Sequence, residues 1–433
     1  MKLWEKGVQA EGWVTRFTVG NDPHWDTLLL PYDAEGTRVH AWALAQIGVL
    51  TAAEYEAISG ALDRILDDVF ADLLIVRTDD EDAHTVIERC LTEALGDTGK
   101  KIHAGRSRND QVLVALRLWL RDALGEVARE AVATTEGLIG LAETTGGMLM
   151  PGYTHFQRAM PTTAGLWAAG YAELLIGDIE ILAEARRRTN VSPWGSAAGY
   201  GVPILDLPRD AAAQKLGFDR VQTHVTAVQL SRGKLEASVV HALVQMGATA
   251  NRLAADLVQF ASAEFGFVSL PAAYTTGSSI MPQKRNPDVL ELARATYHRL
   301  TAELQLLLSL PANLPSGYHR DLQLTKESVM RSVLTARDLF VAMRHVLPGI
   351  QFNEDAMRRA LSPDLFATAE AMRRVKDGEA FRDAYREVGA NLDSLLTPES
   401  EEALSAYTTQ GGPGRVDIGG LRRRLADASG SEK

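Results

Sequence analysis

Three stretches of this chain crowd together side chains that could hold anions or move protons. The most distinctive is Thr275-Thr276-Gly277-Ser278-Ser279-Ile280-Met281-Pro282-Gln283-Lys284-Arg285-Asn286-Pro287-Asp288. Its end reads as a helix start, with Asn286 as N-cap, Pro287 in the first helical position and Asp288 in the first turn. Ahead of it lies a Gly-Ser-Ser segment free to move, followed by Lys284. A helix N-terminus with free amides and a lysine close by suits an anionic group. On residue chemistry alone, a plain capped loop with surface Lys and Arg fits as well. Glu291 falls one turn into that helix, where it could orient a histidine from elsewhere.

The second stretch is Gly152-Tyr153-Thr154-His155-Phe156-Gln157. A histidine between polar neighbours in a loop can act as a general acid near neutral pH, although a satisfied structural histidine is the plainer reading. The third is Gly105-Arg106-Ser107-Arg108-Asn109-Asp110-Gln111. Here Arg108 could hold a carboxylate through two hydrogen bonds, and Asn109 supplies both a donor and an acceptor. Its alternative is an N-cap followed by solvated arginines. The chain contains no H-E-x-x-H, Walker loop, G-x-G-x-x-G after a strand, or nucleophile elbow. Anion-binding groups plus an acid and a base, with no metal and no cofactor called for, fit proton abstraction beside a carboxylate followed by elimination.

Such groups must be held by a scaffold, and proline placement outlines it. None occurs from Tyr32 through Met150, and long proline-free stretches recur at 162–192, 209–270, 288–310 and 316–347. That spacing permits long helices. Apolar residues then recur at steps of three and four: Val112, Leu116, Trp119, Ala123, Val127, Ala131, Leu138 and Leu141 form one series. Leu235, Val239, Leu243, Met246, Ala250, Leu253, Leu257 and Phe260 form a second, and Val329, Val333, Ala336, Phe340, Met343 and Leu347 a third. Stripes this long predict an all-α bundle, with helices also associating between subunits. The remaining prolines and glycines fall in connectors at 151–161, 193–208, 271–287 and 311–316, where chemistry is expected. The division expected is 1–106 with shorter helices, 107–349 with the long bundle, and 350–433 with short helices and a polar tail.

Composition bounds the partners. The 433 residues carry a net charge of −11, which argues against nucleic acid and anionic membrane. The triplets Arg186-Arg187-Arg188 and Arg422-Arg423-Arg424 read as solvated helix faces. A lone cysteine, Cys90, excludes a disulfide framework and suits a reducing cytoplasm. The charged start at Met1-Lys2-Leu3-Trp4-Glu5-Lys6 leads into no apolar segment, and no stretch reads as a membrane span, so a soluble cytoplasmic protein is expected.

The Gly277–Pro287 run closely resembles the signature of the fumarase/aspartase superfamily. Within it, G-R-S-R-N-D-Q-V at 105–112, E-D-A-H-T at 81–85, P-G-Y-T-H-F-Q at 151–157, M-P-Q-K-R-N-P at 281–287 and A-F-R-D-A-Y-R-E-V at 380–388 resemble the argininosuccinate lyase family. That resemblance implies a three-domain all-α fold and a homotetramer whose active sites each draw on three subunits. It implies cleavage of argininosuccinate to arginine and fumarate, without a cofactor. Ser278 would be the base, with Lys284 and Asn286 holding the aci-carboxylate. His155, paired with Glu291, would protonate the departing nitrogen. Arg108, Asn109, Thr154, Tyr318, Gln323 and Lys326 would bind substrate, and His84 belongs to another active-site segment. The chain departs from the family at residues 3–8, 192–209 and 230–234. Leu29 also stands, before the Tyr32-Asp33 pair, where a substrate-binding serine is expected. The readings set against this one are another lyase of the superfamily, such as an adenylosuccinate lyase, and a silent, crystallin-like helical oligomer.

Overall fold

A computed structural model describes residues 11–430. The charged start of the chain, the departure at residues 3–8 and the last three residues of the polar tail lie outside the described residues. The fold is all-α, as the stripes predict. Extended structure among the described residues comprises three small two-stranded pairings, 149–154 with 157–163, 191–192 with 220–221, and 268–269 with 351–352.

The helices that position the site are α1 (Asp22–Gln46), α2 (Ala52–Phe70), α3 (Ala83–Leu95), α4 (Arg108–Thr144), α5 (Ala164–Thr189), α6 (Lys234–Phe260), α7 (Asp288–Ser309) and α8 (Leu324–Val346). Between α4 and α5 runs a hairpin of β1 (Leu149–Thr154) and β2 (Gln157–Thr163). The chain divides into two compact units. Unit 1 comprises the residues up to Glu126 with Glu184–Ala242 and Thr301–Leu334; unit 2 comprises Val127–Ala183, Leu243–Leu300 and Thr335 onward.

In unit 1, local chemistry starts the helices and apolar burial joins them. Thr51 and Glu54 cap α2 reciprocally: the Thr51 hydroxyl accepts from the Glu54 amide at 3.2 Å, and the Thr51 amide donates to the Glu54 carboxylate at 2.9 Å. Asp82 caps α3, its Oδ1 accepting from the Thr85 amide at 2.8 Å and hydroxyl at 2.7 Å. Leu30, Ala34, Ala41 and Leu44 of α1 then pack with Ile58, Leu62 and Ile65 of α2 and Val86, Ile87 and Leu91 of α3. Each fully buried Leu or Ile contributes about 1.5–3 kcal/mol, enough together to fix α1 against α3. One proline breaks the expected pattern. Pro31 lies inside α1, where it denies the Thr27 carbonyl its usual amide partner. Burial of Leu29, Leu30 and Ala34 around it outweighs that local cost.

The predicted stripes are buried almost throughout, including Val239, Leu243, Met246 and Leu257 on α6 and Val329, Val333, Phe340 and Met343 on α8. The first half of α4 is enclosed on every side, since residues 113–120 are all buried. That includes Arg117, whose guanidinium donates to the Val191 carbonyl at 2.6 Å and the Gln222 side chain at 3.0 Å. No helix among the described residues is long and apolar enough to cross a membrane.

Candidate active site

Unit 1 contains a cavity of about 140 Å3, lined by Asp22, Asp26, Glu81, Asp82, His84, Arg108, Asn109, Arg232, Tyr318, Arg320, Gln323 and Lys326 with Val19 and Val112. Helical spacing of four puts Asp22 and Asp26 on one face of α1. Both reach the Lys326 ammonium, at 3.2 and 2.8 Å. Burial pulls Lys326 toward its neutral form, but the two carboxylates outweigh it and raise its pKa. Burial pushes Asp26 up to about 6, with Lys326 offsetting part of the rise.

On α4, Ser107 and Asp110 close the start of the helix. The Ser107 hydroxyl accepts from the Asn109 amide at 3.3 Å, and the Ser107 amide donates to Asp110 at 3.1 Å. Gly105, at φ +71, turns the chain into this segment. Arg108 and Asn109 are thereby directed to the cavity. Arg108 stands 3.1 Å from Asp82 and 3.5 Å from Glu81, and donates to the Thr85 hydroxyl at 3.2 Å. Glu81 holds a positive φ of 74°, a conformation that costs about 1–3 kcal/mol and tends to persist where function requires it. Across the cavity, Arg320 and Gln323 both donate to the Thr18 carbonyl, at 3.0 and 2.9 Å. The Arg232 guanidinium lies 5.0 Å from the centre of the Tyr318 ring. Guanidinium and ammonium groups thus stand among carboxylates in a small, partly open space. That suits a ligand carrying charges of both signs.

Unit 2 carries the residues that the sequence offers as candidates for proton transfer. The β1–β2 hairpin pairs Tyr153 with Arg158 and Thr154 with Gln157, leaving His155 and Phe156 as a two-residue turn. Both have positive φ, 54° and 57°, which matches the twist of the flanking strands but is costly for residues with side chains. His155 is exposed and lines a cavity of about 680 Å3 with Trp167, Tyr171, Arg252 and Asp256 among others. There the Asp256 carboxylate accepts from the Trp167 indole at 2.9 Å and the Tyr171 hydroxyl at 2.7 Å.

The Ser278 loop is closed at its neck by two backbone bonds, Thr276 amide to Asn286 carbonyl at 3.1 Å and the reverse at 2.9 Å. Within it the Ser278 Oγ accepts from the amides of Ile280 and Met281, at 3.3 and 3.1 Å. Lys284 is exposed. The Asn286 side chain donates to the Thr276 hydroxyl at 3.4 Å rather than capping, and α7 starts at Asp288, whose carboxylate accepts from that hydroxyl. Glu291 is exposed on the first turn of α7. Among the described residues no hydrogen bond joins His155 to Glu291, or Ser278 to Lys284.

A lyase family model matches residues 17–301. The argininosuccinate lyase of Sorangium cellulosum is 44% identical to this chain over 425 residues, covering 98% of each. This chain belongs to the argininosuccinate lyase family. The enzyme of that name from Bacteroides thetaiotaomicron is 42% identical, covering 98% of this chain and 96% of its own. Among solved structures, EDDS lyase in complex with formate superposes with a TM-score of 0.78 at 22% identity, over 98% of this chain and 90% of that one. A class II fumarase from Schistosoma mansoni gives 0.75 at 15% identity, over 92% and 95%. Those two likenesses are of fold.

For this member of the argininosuccinate lyase family, the residues singled out in sequence fall into two groups. His84, Arg108, Asn109, Tyr318, Gln323 and Lys326 meet in the cavity of unit 1. Thr154, His155, Ser278, Lys284, Asn286 and Glu291 belong to unit 2. Leu29 is fully buried and does not line the cavity, whereas Asp22 and Asp26 of the same helix do. Sequence reasoning also passed over Glu81, Asp82, Arg232 and Arg320 as cavity residues. One signal was available. Asp22, Asp26 and Asp33 recur at steps of four and seven, which puts three carboxylates on one face of the helix.

Proposed function

We propose that the protein is an argininosuccinate lyase, catalysing reversible elimination of argininosuccinate to arginine and fumarate, the last step of arginine biosynthesis. The observation that carries this is the convergence of six expected binding residues in one cavity, in a chain 44% identical along 98% of its length to an argininosuccinate lyase. In this reading Ser278 Oγ, as an alkoxide, takes the proton from the carbon beside a substrate carboxylate. The Ile280 and Met281 amides that already donate to this oxygen support that role, as does a lysine in the same loop. Lys284 and Asn286 hold the resulting aci-carboxylate. The carbon–nitrogen bond then breaks, and His155, backed by Glu291, protonates the departing guanidinium nitrogen, so one proton is taken and one returned. Arg108, Asn109, Thr154, Tyr318, Gln323, Lys326 and His84 hold the two ends of the substrate. No cofactor takes part.

The reading includes a cytoplasmic homotetramer whose sites each draw on three subunits, with each chain organised as 1–106, 107–349 and 350–433. Exposed Leu174 and Ile181 on α5, and Leu292, Leu306 and Leu308 on α7, support helix association between chains. Mixing two inactive variants, Ser278→Ala and His155→Gln, should restore part of the activity once subunits exchange. No recovery after confirmed exchange would count against shared sites. The activity itself is tested by incubating purified protein with argininosuccinate and following fumarate absorbance. Turnover of adenylosuccinate alone, or of no succinyl adduct, would overturn the reading.

A further inference from the structure

Two side chains of the Gly105–Gln111 segment turn away from the cavity, toward a buried carboxylate, Asp33 on α1. Gln111 Nε2 donates to Asp33 Oδ1 at 2.9 Å and lies 3.3 Å from Oδ2. Arg106 stands 3.6 Å from Oδ1 and also donates to the Thr37 hydroxyl at 3.0 Å. Asp33 Oδ2 faces His84 Nδ1 at 2.6 Å. A carboxylate can only accept here, so Nδ1 carries the proton. Asp33 is 1% exposed and does not line the cavity; His84 does. The other ring nitrogen of His84, Nε2, makes no hydrogen bond among the described residues.

Burying a carboxylate among three donors from two segments is a poor way to gain stability, because desolvation consumes most of the attraction. What such an arrangement does supply is a defined tautomer, orientation and charge for the imidazole. We propose that Asp33 is a positioning residue: by accepting the Nδ1–H of His84 it fixes the ring and keeps it cationic, so that Nε2–H is presented to a carboxylate of the substrate. The inference rests on the reading above that this cavity takes the anionic substrate of an argininosuccinate lyase. The groups facing His84 are consistent with it, since Asp26 of α1 and Asp82 at the start of α3 are both carboxylates. Asp33 in turn is faced by Arg106 and Gln111. Burial works against charge on His84, yet Asp33, Asp82 and Asp26 outweigh it and raise its pKa.

Asp33→Asn keeps the size and an acceptor while removing the charge. In the full-length enzyme, KM for argininosuccinate should stay level from about pH 6 to about pH 8, whereas in the variant it should climb by about tenfold as His84 loses its proton. The climb should be absent from Asp33→Asn combined with His84→Gln. A KM–pH profile of Asp33→Asn parallel to wild type overturns the proposal, because a merely structural role would lower activity evenly. A second measurement does not depend on the variant folding. In wild-type protein with isotope-labelled histidine, the His84 resonance, assigned through His84→Gln, should remain that of an imidazolium at about pH 7.5; a neutral ring there overturns the proposal too. That measurement involves no turnover, so failure to cleave argininosuccinate would strike the functional reading and leave the Asp33–His84 pairing tested.

Discussion

The cavity of unit 1 and the hairpin and loop of unit 2 are built on opposite plans. In the cavity, several charged groups are held at least twice. Lys326 lies between two carboxylates, and Arg108 meets Asp82, Glu81 and Thr85. In unit 2, His155 rides an exposed two-residue turn, Lys284 points from an exposed loop, and Ser278 is touched by two backbone amides. Binding groups gain from rigid placement, which lowers the entropy lost when substrate arrives. Reacting groups that close on a substrate must first admit it, and so are drawn from less constrained segments.

That contrast can be broken or sharpened by substitution. The largest effect should come from Ser278→Ala, which should lower kcat by at least about 10³-fold while argininosuccinate still binds, as calorimetry can read. Near-normal kcat would remove Ser278 as the base. The two lysines offer a direct comparison of the regions. Lys326→Met strands the buried Asp26 and the half-buried Asp22 and should cost about 3–5 kcal/mol of stability in denaturant unfolding. Lys284→Met should cost less than about 0.5 kcal/mol, and its deficit should appear in kcat. Equal destabilisation by both would erase the distinction.

Asp26 gives a pH signature. Its folded-state value of about 6 lies above that of an unfolded carboxylate, so the folded chain holds a proton there that the unfolded chain releases. That contribution favours folding at low pH and fades as pH rises from about 4 to about 6. Asp26→Asn should therefore gain on wild type by up to about 3 kcal/mol across that window, read as a growing difference between their melting temperatures. A difference that stays constant would mean Asp26 titrates normally. The smallest effect concerns the hairpin: Phe156→Gly relieves a positive φ and should stabilise by up to about 1 kcal/mol, with kcat little changed.

Much of the scaffold was legible because a helix advertises its buried face at every third or fourth residue. The stripes on α6 and α8 appear in the core almost residue for residue. Two features were not legible. The Gly152–Gln157 connector reads as a loop, since Pro151, Gly152 and Pro161 obscure any alternation, yet it pairs as a hairpin. The pairing of Asp22 and Asp26 was the second, because nothing near them in sequence announces Lys326 three hundred residues later. The Gly105–Gln111 segment was half legible. Arg108 and Asn109 were expected at the site, while the inward turn of Arg106 and Gln111 toward Asp33 was not.

The sequence by itself determined the inventory: which side chains can accept or release protons, how long the helices run, and to which family the chain belongs. These follow from residue chemistry and local periodicity. Only the tertiary structure decided which charges are paired and which are buried. Arg106 and Arg108 are two residues apart, yet one is enclosed against Asp33 and the other lines the cavity. Desolvation and Coulomb attraction depend on neighbours brought from distant parts of the chain, and that information is absent from any local stretch of sequence.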